Sequence, residues 1–460
     1  METYLLVAHP MRNFIVAMLR RGGADRAVLF SVSGRLATVV MAPITLLLLG
    51  TSLTAAEQGF YFTFNSIIAL QVVIELGLAV VILQFASHEM ALLRWVGRHV
   101  EGDDGARWRL ASLVRFAVVW YGTVSVVLVG VVLPLGALFL GRGSASNVQW
   151  QTPWQWVVTA SAVLLLMTPL LSVLEGTGKV ANVAMIRGAQ DIIATLALWA
   201  ALRLGLRLNA AAIFVVVRVL VTGTCLAIGY AGFFVSILRQ TRGARGISWL
   251  HEIWPFQWRI AVSWLSGYFI FQLFTPMIFA FRGAAEAGRV GMSIAVASAI
   301  TTTGLTWVST KAAPFGTLIA SRRFDALDDA FFRAARISAA VTALGLLIVW
   351  CTVAVAGFIG LPIAKRFVGL LPLSLFFATA LINQIIGAQA VYLRAHKEEP
   401  FLVLSLAAGI LVAGLSYVAG HSYGAYGIAV AYFAVMLAIG YWSTRVFIQR
   451  RRLWHEVGAE

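Results

Sequence analysis

The sequence predicts an all-α polytopic membrane protein with about twelve transmembrane helices in two pseudo-symmetric six-helix lobes. Three observations carry this. The 460 residues are 60% hydrophobic and only 12% charged, with a mean hydropathy of +0.87, where a soluble domain averages about a quarter charged residues. The deficit recurs along the whole chain as apolar runs long enough to cross a hydrocarbon core of ~30 Å. Short sequence elements also recur at matching places in the two halves. This composition excludes a secreted disulfide scaffold, a disordered chain and an ordinary cytosolic enzyme.

Residues 1–25 interleave Leu5, Val7, Met11, Phe14, Ile15, Met18 and Leu19 with Arg12, Arg20 and Arg21. That pattern is expected to form an interfacial amphipathic helix, being too interrupted for a span and lacking a cleavage site. Spans follow at about 27–52, 59–86, 110–140, 154–175, 181–204, 209–238, 259–281, 289–320, 333–359, 367–393, 400–420 and 424–447 by apolar run length. Pro43, Pro134, Pro169, Pro276, Pro314 and Pro372 fall inside these runs, where neighbouring helices or a cavity can satisfy the freed backbone groups. The resulting organisation is an N-lobe over 26–238, an amphipathic linker over 239–258, a C-lobe over 259–448 and a tail over 449–460.

The net charge of +16 comes from 35 Lys and Arg against 19 Asp and Glu. The basic residues cluster at the ends of apolar runs, so no nucleic-acid partner is expected. Most fall at the N-terminus, the even-numbered connections and the C-terminus, which by the positive-inside bias places both termini in the cytoplasm. The longest connections, 87–109 and 239–258, are basic and amphipathic and are expected to lie on the inner membrane surface. No connection can hold a catalytic domain, and there is no Walker A loop, zinc-ligand cluster or nucleophile elbow. Neither an enzyme nor a cofactor or metal is expected. Cys225 and Cys351 lie inside apolar runs and read as small buried hydrophobes. Trp150, Trp154, Trp156, Trp254 and Trp258 sit near span ends and read as an interfacial belt.

The internal repeats set the architecture. Ala55-Ala56-Glu57-Gln58-Gly59 precedes span 2, and Ala284-Ala285-Glu286-Ala287-Gly288 precedes span 8. Gly178-Lys179 follows span 4 and His396-Lys397 follows span 10. Asn209-Ala-Ala-Ala opens span 6, and Gly424-Ala-Tyr-Gly-Ile-Ala opens span 12. Two halves in the same orientation imply a pseudo-two-fold axis along the membrane normal, with the substrate path between them near the midplane.

Ser33-Gly34-Arg35, Ala56-Glu57-Gln58-Gly59-Phe60-Tyr61 and Glu75-Leu76-Gly77-Leu78 together resemble the opening of Wzx-type oligosaccharide flippases. These polysaccharide biosynthesis proteins belong to the multidrug/oligosaccharidyl-lipid/polysaccharide exporter superfamily. There a short acidic-Tyr/Phe-Gly turn follows span 1, an acidic-Leu-Gly-Leu element closes span 2, and a Gly-Lys turn follows spans 4 and 10. The chain departs from the pattern twice: Ala395-His396-Lys397-Glu398-Glu399-Pro400 lacks the glycine, and Gln84-Phe85 replaces the family's usual Arg. The resemblance spans the whole topology and implies a MATE-like, V-shaped bundle in the bacterial inner membrane. It also implies that an undecaprenyl-pyrophosphate-linked oligosaccharide is moved to the periplasmic leaflet by alternating access, for O-antigen, capsule or exopolysaccharide. The implied protein is a monomer surrounded by membrane lipid, working beside a polysaccharide polymerase or export machinery.

Charges inside the spans are the candidate chemistry, because each costs at least ~2.5–3.5 kcal/mol on insertion scales. At 1.5 Å per residue, Arg35 lies about 14 Å in from Arg26, Arg218 about 14 Å in from Asn209 and Lys311 about 16 Å from Arg322. Arg115, about 9 Å from Arg109, is expected to snorkel to the headgroups. Arg187 and Asp191 share a helix face and either neutralise each other or line a wet cavity with Asn182 and Gln190. The cations Arg35, Arg187, Arg218 and Lys311 outnumber Glu75 and Asp191, a balance that attracts an anion. A guanidinium fork suits phosphate, so Arg35, Arg187, Arg218 and Lys311 are the candidate pyrophosphate ligands. Asn383 and Gln384 are candidates for sugar hydroxyls, or else glue between helices. Thr301, Thr302, Thr303, Thr306 and Ser309 either line the cavity near Lys311 or bond back to their own helix. Glu75 and Asp191 are the coupling or charge-balancing acids: Glu75 either exchanges a proton during the cycle or balances Arg35. Two other classes remain: a cation-coupled exporter of small amphiphiles, favoured by a cavity rich in carboxylates and aromatics, and a non-transporting scaffold of a polysaccharide assembly complex.

Overall fold

The computed structural model describes residues 26–75, 77–142, 148–240, 248, 252–396 and 398–459. The segment 1–25 and most of the 239–258 linker lie outside them. Nearly every described residue is helical. The N-lobe comprises α1 (Arg26–Ser52), α2 (Ala55–Ile68), α3 (Leu70–Glu75), α4 (Leu78–Met90), α5 (Asp104–Val127), α6 (Leu133–Arg142), α7 (Gln151–Gly176), α8 (Val180–Arg203) and α9 (Asn209–Leu238). The C-lobe comprises α10 (Trp254–Phe271), α11 (Phe274–Arg282), α12 (Ala284–Ser309), α13 (Ala312–Ala320), α14 (Phe324–Phe358), α15 (Leu370–Ala395) and α16 (Leu402–Ala459).

Each of the twelve predicted runs is helical over most of its length. By length and composition, 8 of the described helices can cross a membrane, or 9 if the bent pair Ala55–Glu75 and Leu78–Met90 is one span. The breaks have local causes. Pro276 strips the helix hydrogen bond to Gln272, where α10 gives way to α11; Pro314 does the same to Thr310, between α12 and α13. Pro134, in the first turn of α6, removes the hydrogen bond to the carbonyl of Gly130, which lies in the π-helical turn Leu128–Val132 joining α5 to α6. Gly77, at φ +66°, bends span 2 by 44°. At 1.5 Å per residue α16 would be about 87 Å long, more than twice the hydrocarbon core. Gly424 (φ +61°, ψ −141°) interrupts it and separates the two predicted runs.

The 87–109 connection, expected only as a basic amphipathic segment, has a definite strand structure. It folds into a hairpin of β1 (Leu93–Val96) and β2 (His99–Gly102), with Val96 opposite His99. The alternation of buried Leu93 and half-buried Trp95 with exposed Arg94 and Val96 is a strand period. Gly97, at φ +61°, opens the two-residue turn. Asp103 then caps α5 by accepting from the Ala106 N–H at 2.8 Å.

The two halves meet through spans 1, 2, 7 and 8, and the contact is reciprocal. A Cβ on Gly59 would lie 1.8 Å from the Ala284 carbonyl oxygen, and one on Gly288 would lie 2.7 Å from that of Ala55. The recurring five-residue elements are thus the two faces of one glycine-mediated crossing. Gln58 Nε2 crosses it, donating to the Gly288 carbonyl at 2.7 Å. Each element's acid braces its own lobe. Glu57 completes the α2 capping box and lies 3.5 Å from Arg207, while Glu286 accepts from the Ala425 N–H at 2.8 Å.

Packing around this crossing forms one hydrophobic core shared by both halves. Toward the hairpin end the halves have separate cores, one centred on α4, α5 and α7 and the other on α14 and α15. The lobes are therefore joined at one end and splay apart at the other, as in a V. The shared core also corrects the reading of two tryptophans. Trp150 and Trp154 are buried rather than interfacial, because at this end the rings meet protein: Trp150 stacks on Phe60, and Trp154 covers Gly136. Trp156, Trp254 and Trp258 are exposed, as a belt requires. Cys225 is half-buried and Cys351 exposed, so neither is the buried filler expected. Both lie on helices that face lipid.

Candidate functional site

The bend at Gly77 turns the end of α3 inward and places Glu75 on the wall of a cavity of about 410 Å³ within the N-lobe. Its polar lining comes from span 2 (Tyr61, Asn65, Gln71, Glu75), α7 (Ser161, Thr168), α8 (Arg187, Gln190, Asp191) and α9 (Arg218). Glu75 is buried and accepts from the Tyr121 hydroxyl at 2.5 Å. Gln190, also buried, accepts from the Thr222 hydroxyl and ties α8 to α9.

The charges pair between helices, not along one. Arg187 lies 3.1 Å from Glu175 on α7, and Asp191 lies 3.1 Å from Arg218 on α9. Of the two expectations for Arg187 and Asp191, the pair along α8 does not form; both instead line the cavity with Gln190, while Asn182 lies outside it. A base placed N-terminal to an acid is the weaker i,i+4 order, and stronger partners reach in from both flanking helices. Arg218 is held by charge more than by hydrogen bonds: Nε lies 3.1 Å from the Asp191 carboxylate, yet it is buried with no hydrogen-bond acceptor. Its guanidinium rests 5.6 Å from the Phe214 ring.

The remaining predicted residues fall elsewhere. Arg35 lies on α1 beside Gly34, where a Cβ would be 3.6 Å from the Gly188 Cα, so its backbone runs next to Arg187. The Arg35 side chain, and hence any balance with Glu75, lies outside the described residues. Lys311 is exposed at the break between α12 and α13 and is not part of the cavity lining. The polar run before it mostly turns on its own helix: Thr301, Thr303 and Thr306 donate to carbonyls four residues back and Ser309 to one three back. Asn383 donates to the Tyr432 hydroxyl at 2.9 Å, and Gln384 meets the Ser338 hydroxyl, so both amides join helices of the C-lobe. Arg115 reaches toward the end of a neighbouring helix. It donates to the Leu238 and Gln240 carbonyls at 2.7 and 2.8 Å and closes the C-terminal end of α9.

The expected excess of cations is therefore not what the described cavity holds. Arg187 and Arg218 stand against Glu75 and Asp191 in its lining, with Glu175 paired to Arg187 from outside it. Sequence reasoning passed over two residues that hold the lining in place. Glu175 carries a signal, being an acid at the very end of an apolar run. Tyr121 carries none, because a tyrosine inside an apolar stretch looks like core until its neighbours are known. Among the described residues no cluster of three or more His, Cys, Asp or Glu is placed to hold a metal ion.

No family model and no curated protein matches the sequence. The fold does match solved structures. One is a multidrug resistance MATE family transporter of the MOP superfamily in an inward-facing conformation, with TM-score 0.62 and 14% identity over 90% of this chain and 99% of that one. The lipid II flippase MurJ, inward closed, matches with TM-score 0.62 and 10% identity over 94% and 91%. A MOP superfamily transporter from Pyrococcus furiosus, described as having a binding pocket of reverse polarity, matches with TM-score 0.54 and 14% identity over 93% and 96%. At these identities the likeness is one of fold: the chain has a MATE-like polytopic architecture.

Proposed function

We propose that this chain is an alternating-access transporter of the inner membrane that flips a lipid-linked oligosaccharide carrying a pyrophosphate head. The observation that supports this reading best is Arg218, a cation inside the N-lobe cavity whose pairing with Asp191 leaves a donor unsatisfied. A phosphate oxygen supplies a stronger acceptor than a carboxylate held out of hydrogen-bond geometry, so the guanidinium can exchange one anion for the other. Arg187, paired with Glu175 at 3.1 Å and half exposed, is the second anion ligand. Arg35 is assigned the same role from its sequence position on α1, whose backbone at Gly34 passes Gly188. A largely apolar groove of about 290 Å³ between α1 and the C-lobe, lined by Leu46, Leu47, Met292, Val296 and Ile300, suits a polyprenyl tail. The fold shared with a lipid II flippase is in keeping with such a cargo. Both termini are cytoplasmic in this reading, so the splayed end of the V faces the cytoplasm.

The test is mass spectrometry of polyprenyl-linked sugars in cells depleted of the protein. A complete lipid-linked oligosaccharide is expected to accumulate, and to be cleared by wild type but not by Arg218→Ala at equal protein level. An unchanged lipid pool overturns the reading. A second reading, a proton-coupled exporter of small amphiphiles, draws on Glu75, a buried acid hydrogen-bonded by Tyr121. It predicts that Glu75→Gln abolishes drug efflux driven by a pH gradient. Under the flippase reading no such efflux exists.

A further inference from the structure

A second cavity, of about 460 Å³, lies between α8 and α9 beneath the β1–β2 hairpin. Its mouth carries two cations: Arg98 in the hairpin turn and Lys179 at the start of α8. Lys179 Nζ sits 4.4 Å from the centroid of the Trp95 ring. That ring is fixed in turn by its Nε1 donating to the Thr177 carbonyl at 2.7 Å and by Phe233 at 4.6 Å. A cation–π contact holds an ammonium in place without neutralising its charge. Neither Lys179 nor Arg98 belongs to an ion pair among the described residues.

Polarity falls with depth along the groove. One turn in from Lys179, Asn182 hydrogen-bonds Tyr230 across the two helices. A further turn in, the walls are Met185, Ile186, Cys225 and Ile228. Met185 and Ile228 are 48% and 70% exposed in the middle of helices apolar enough to cross a membrane, so the groove opens sideways to lipid. Unpaired cations at the surface end and an apolar, lipid-facing floor match an amphiphile with an anionic head.

We propose that this groove is a binding site for an anionic phospholipid of the leaflet at the hairpin end. The phosphate sits between Lys179 and Arg98, the Asn182 amide meets the glycerol region, and an acyl chain runs along Met185, Ile186 and Ile228. The helices it bridges also carry Arg187, Asp191 and Arg218, so a seated lipid braces the pair of helices that forms the N-lobe cavity.

The experiment is native mass spectrometry of the purified full-length chain titrated with phosphatidylglycerol or phosphatidylcholine. One phosphatidylglycerol should bind at least about tenfold more tightly than phosphatidylcholine. The preference should vanish in Arg98→Ala/Lys179→Ala and persist in Arg98→Lys/Lys179→Arg. Ile228→Trp, at an exposed position that leaves both cations in place, should also lose the tight lipid and covers the case in which the alanine pair fails to fold. Undiminished phosphatidylglycerol binding in folded Arg98→Ala/Lys179→Ala, or in Ile228→Trp, overturns the proposal, as does equal affinity of the wild type for the two lipids.

Discussion

The N-lobe holds a charged cavity where the C-lobe holds a packed polar seam. On one side Glu75, Arg187, Asp191 and Arg218 line open space of about 410 Å³, with Glu175 paired to Arg187. On the other, Gln384 and Ser338 close on each other, the Ser338 hydroxyl donates to the Gly304 carbonyl at 2.7 Å, and Asn383 meets Tyr432. Gly304 lets α12 and α14 approach so closely that a Cβ would lie 2.0 Å from the Thr342 hydroxyl oxygen. What the lobes share is the crossing itself, with Gly59 and Gly288 in equivalent roles. A duplicated bundle needs its contact face twice, but only the N-lobe sets its charges around a cavity; the buried Asp328 of the C-lobe is closed off by Arg451 and Tyr392. Between those C-lobe spans Asn383 and Gln384 join neighbouring helices without charge.

The sharpest way to break this comparison is to remove one polar group from each side. Arg218→Ala should lower transport about tenfold to a hundredfold at unchanged protein level, the scale of a lost charged hydrogen bond. Gln384→Leu should leave transport intact and lower thermal stability by about 0.5–2 kcal/mol. Complementation scored beside unfolding midpoints separates the two, and equal losses of transport would erase the distinction between the lobes. The shared crossing comes next. Gly59→Ala should destabilise by about 1–3 kcal/mol, since the new methyl would overlap the Ala284 carbonyl. Gly122→Ala, with no atom within 4 Å of its added Cβ, should be neutral. Matched melting curves check the pair.

The smallest effect belongs to the hairpin end of the C-lobe. The half-buried His396 ring stacks on Trp454 at 3.8 Å, and burial pushes its pKa below the ordinary 6.5, outweighing the pull of Glu398 and Asp328 toward the charged form. The neutral ring is the one the fold favours. The contribution is therefore present above pH 6.5 and is lost as pH falls through the depressed value. Hydrogen exchange over residues 445–459 should show less protection near pH 5 than near pH 7.5, after correction for the intrinsic rate. Arg451 and Asp328, 2.6 Å apart, keep the helix docked in part, so unchanged protection would mean that the stack carries none of the anchoring.

Legibility differed by kind of feature. The helices were readable because a chain in hydrocarbon has no other way to satisfy its backbone, and apolar run length reports that directly. The five-residue repeat was readable too, although only the structure shows its two copies packed against each other. The 87–109 hairpin shows in sequence only through the alternation of Leu93, Arg94, Trp95 and Val96, a four-residue signal that a basic composition obscures.

Within the candidate site, sequence alone determined that Glu75, Arg187, Asp191 and Arg218 lie in membrane-spanning helices, because the penalty for burying a charge depends on depth along a span and depth can be counted. Tertiary structure decided the rest: that Asp191 faces Arg218 instead of Arg187, that Glu175 and Tyr121 hold Arg187 and Glu75 from behind the cavity wall, and that Lys311, Asn383 and Gln384 stay out of it. Those outcomes turn on the rotation and separation of whole helices. Helix packing is set by glycine crossings and proline breaks many residues away, and a linear order carries no distance between them.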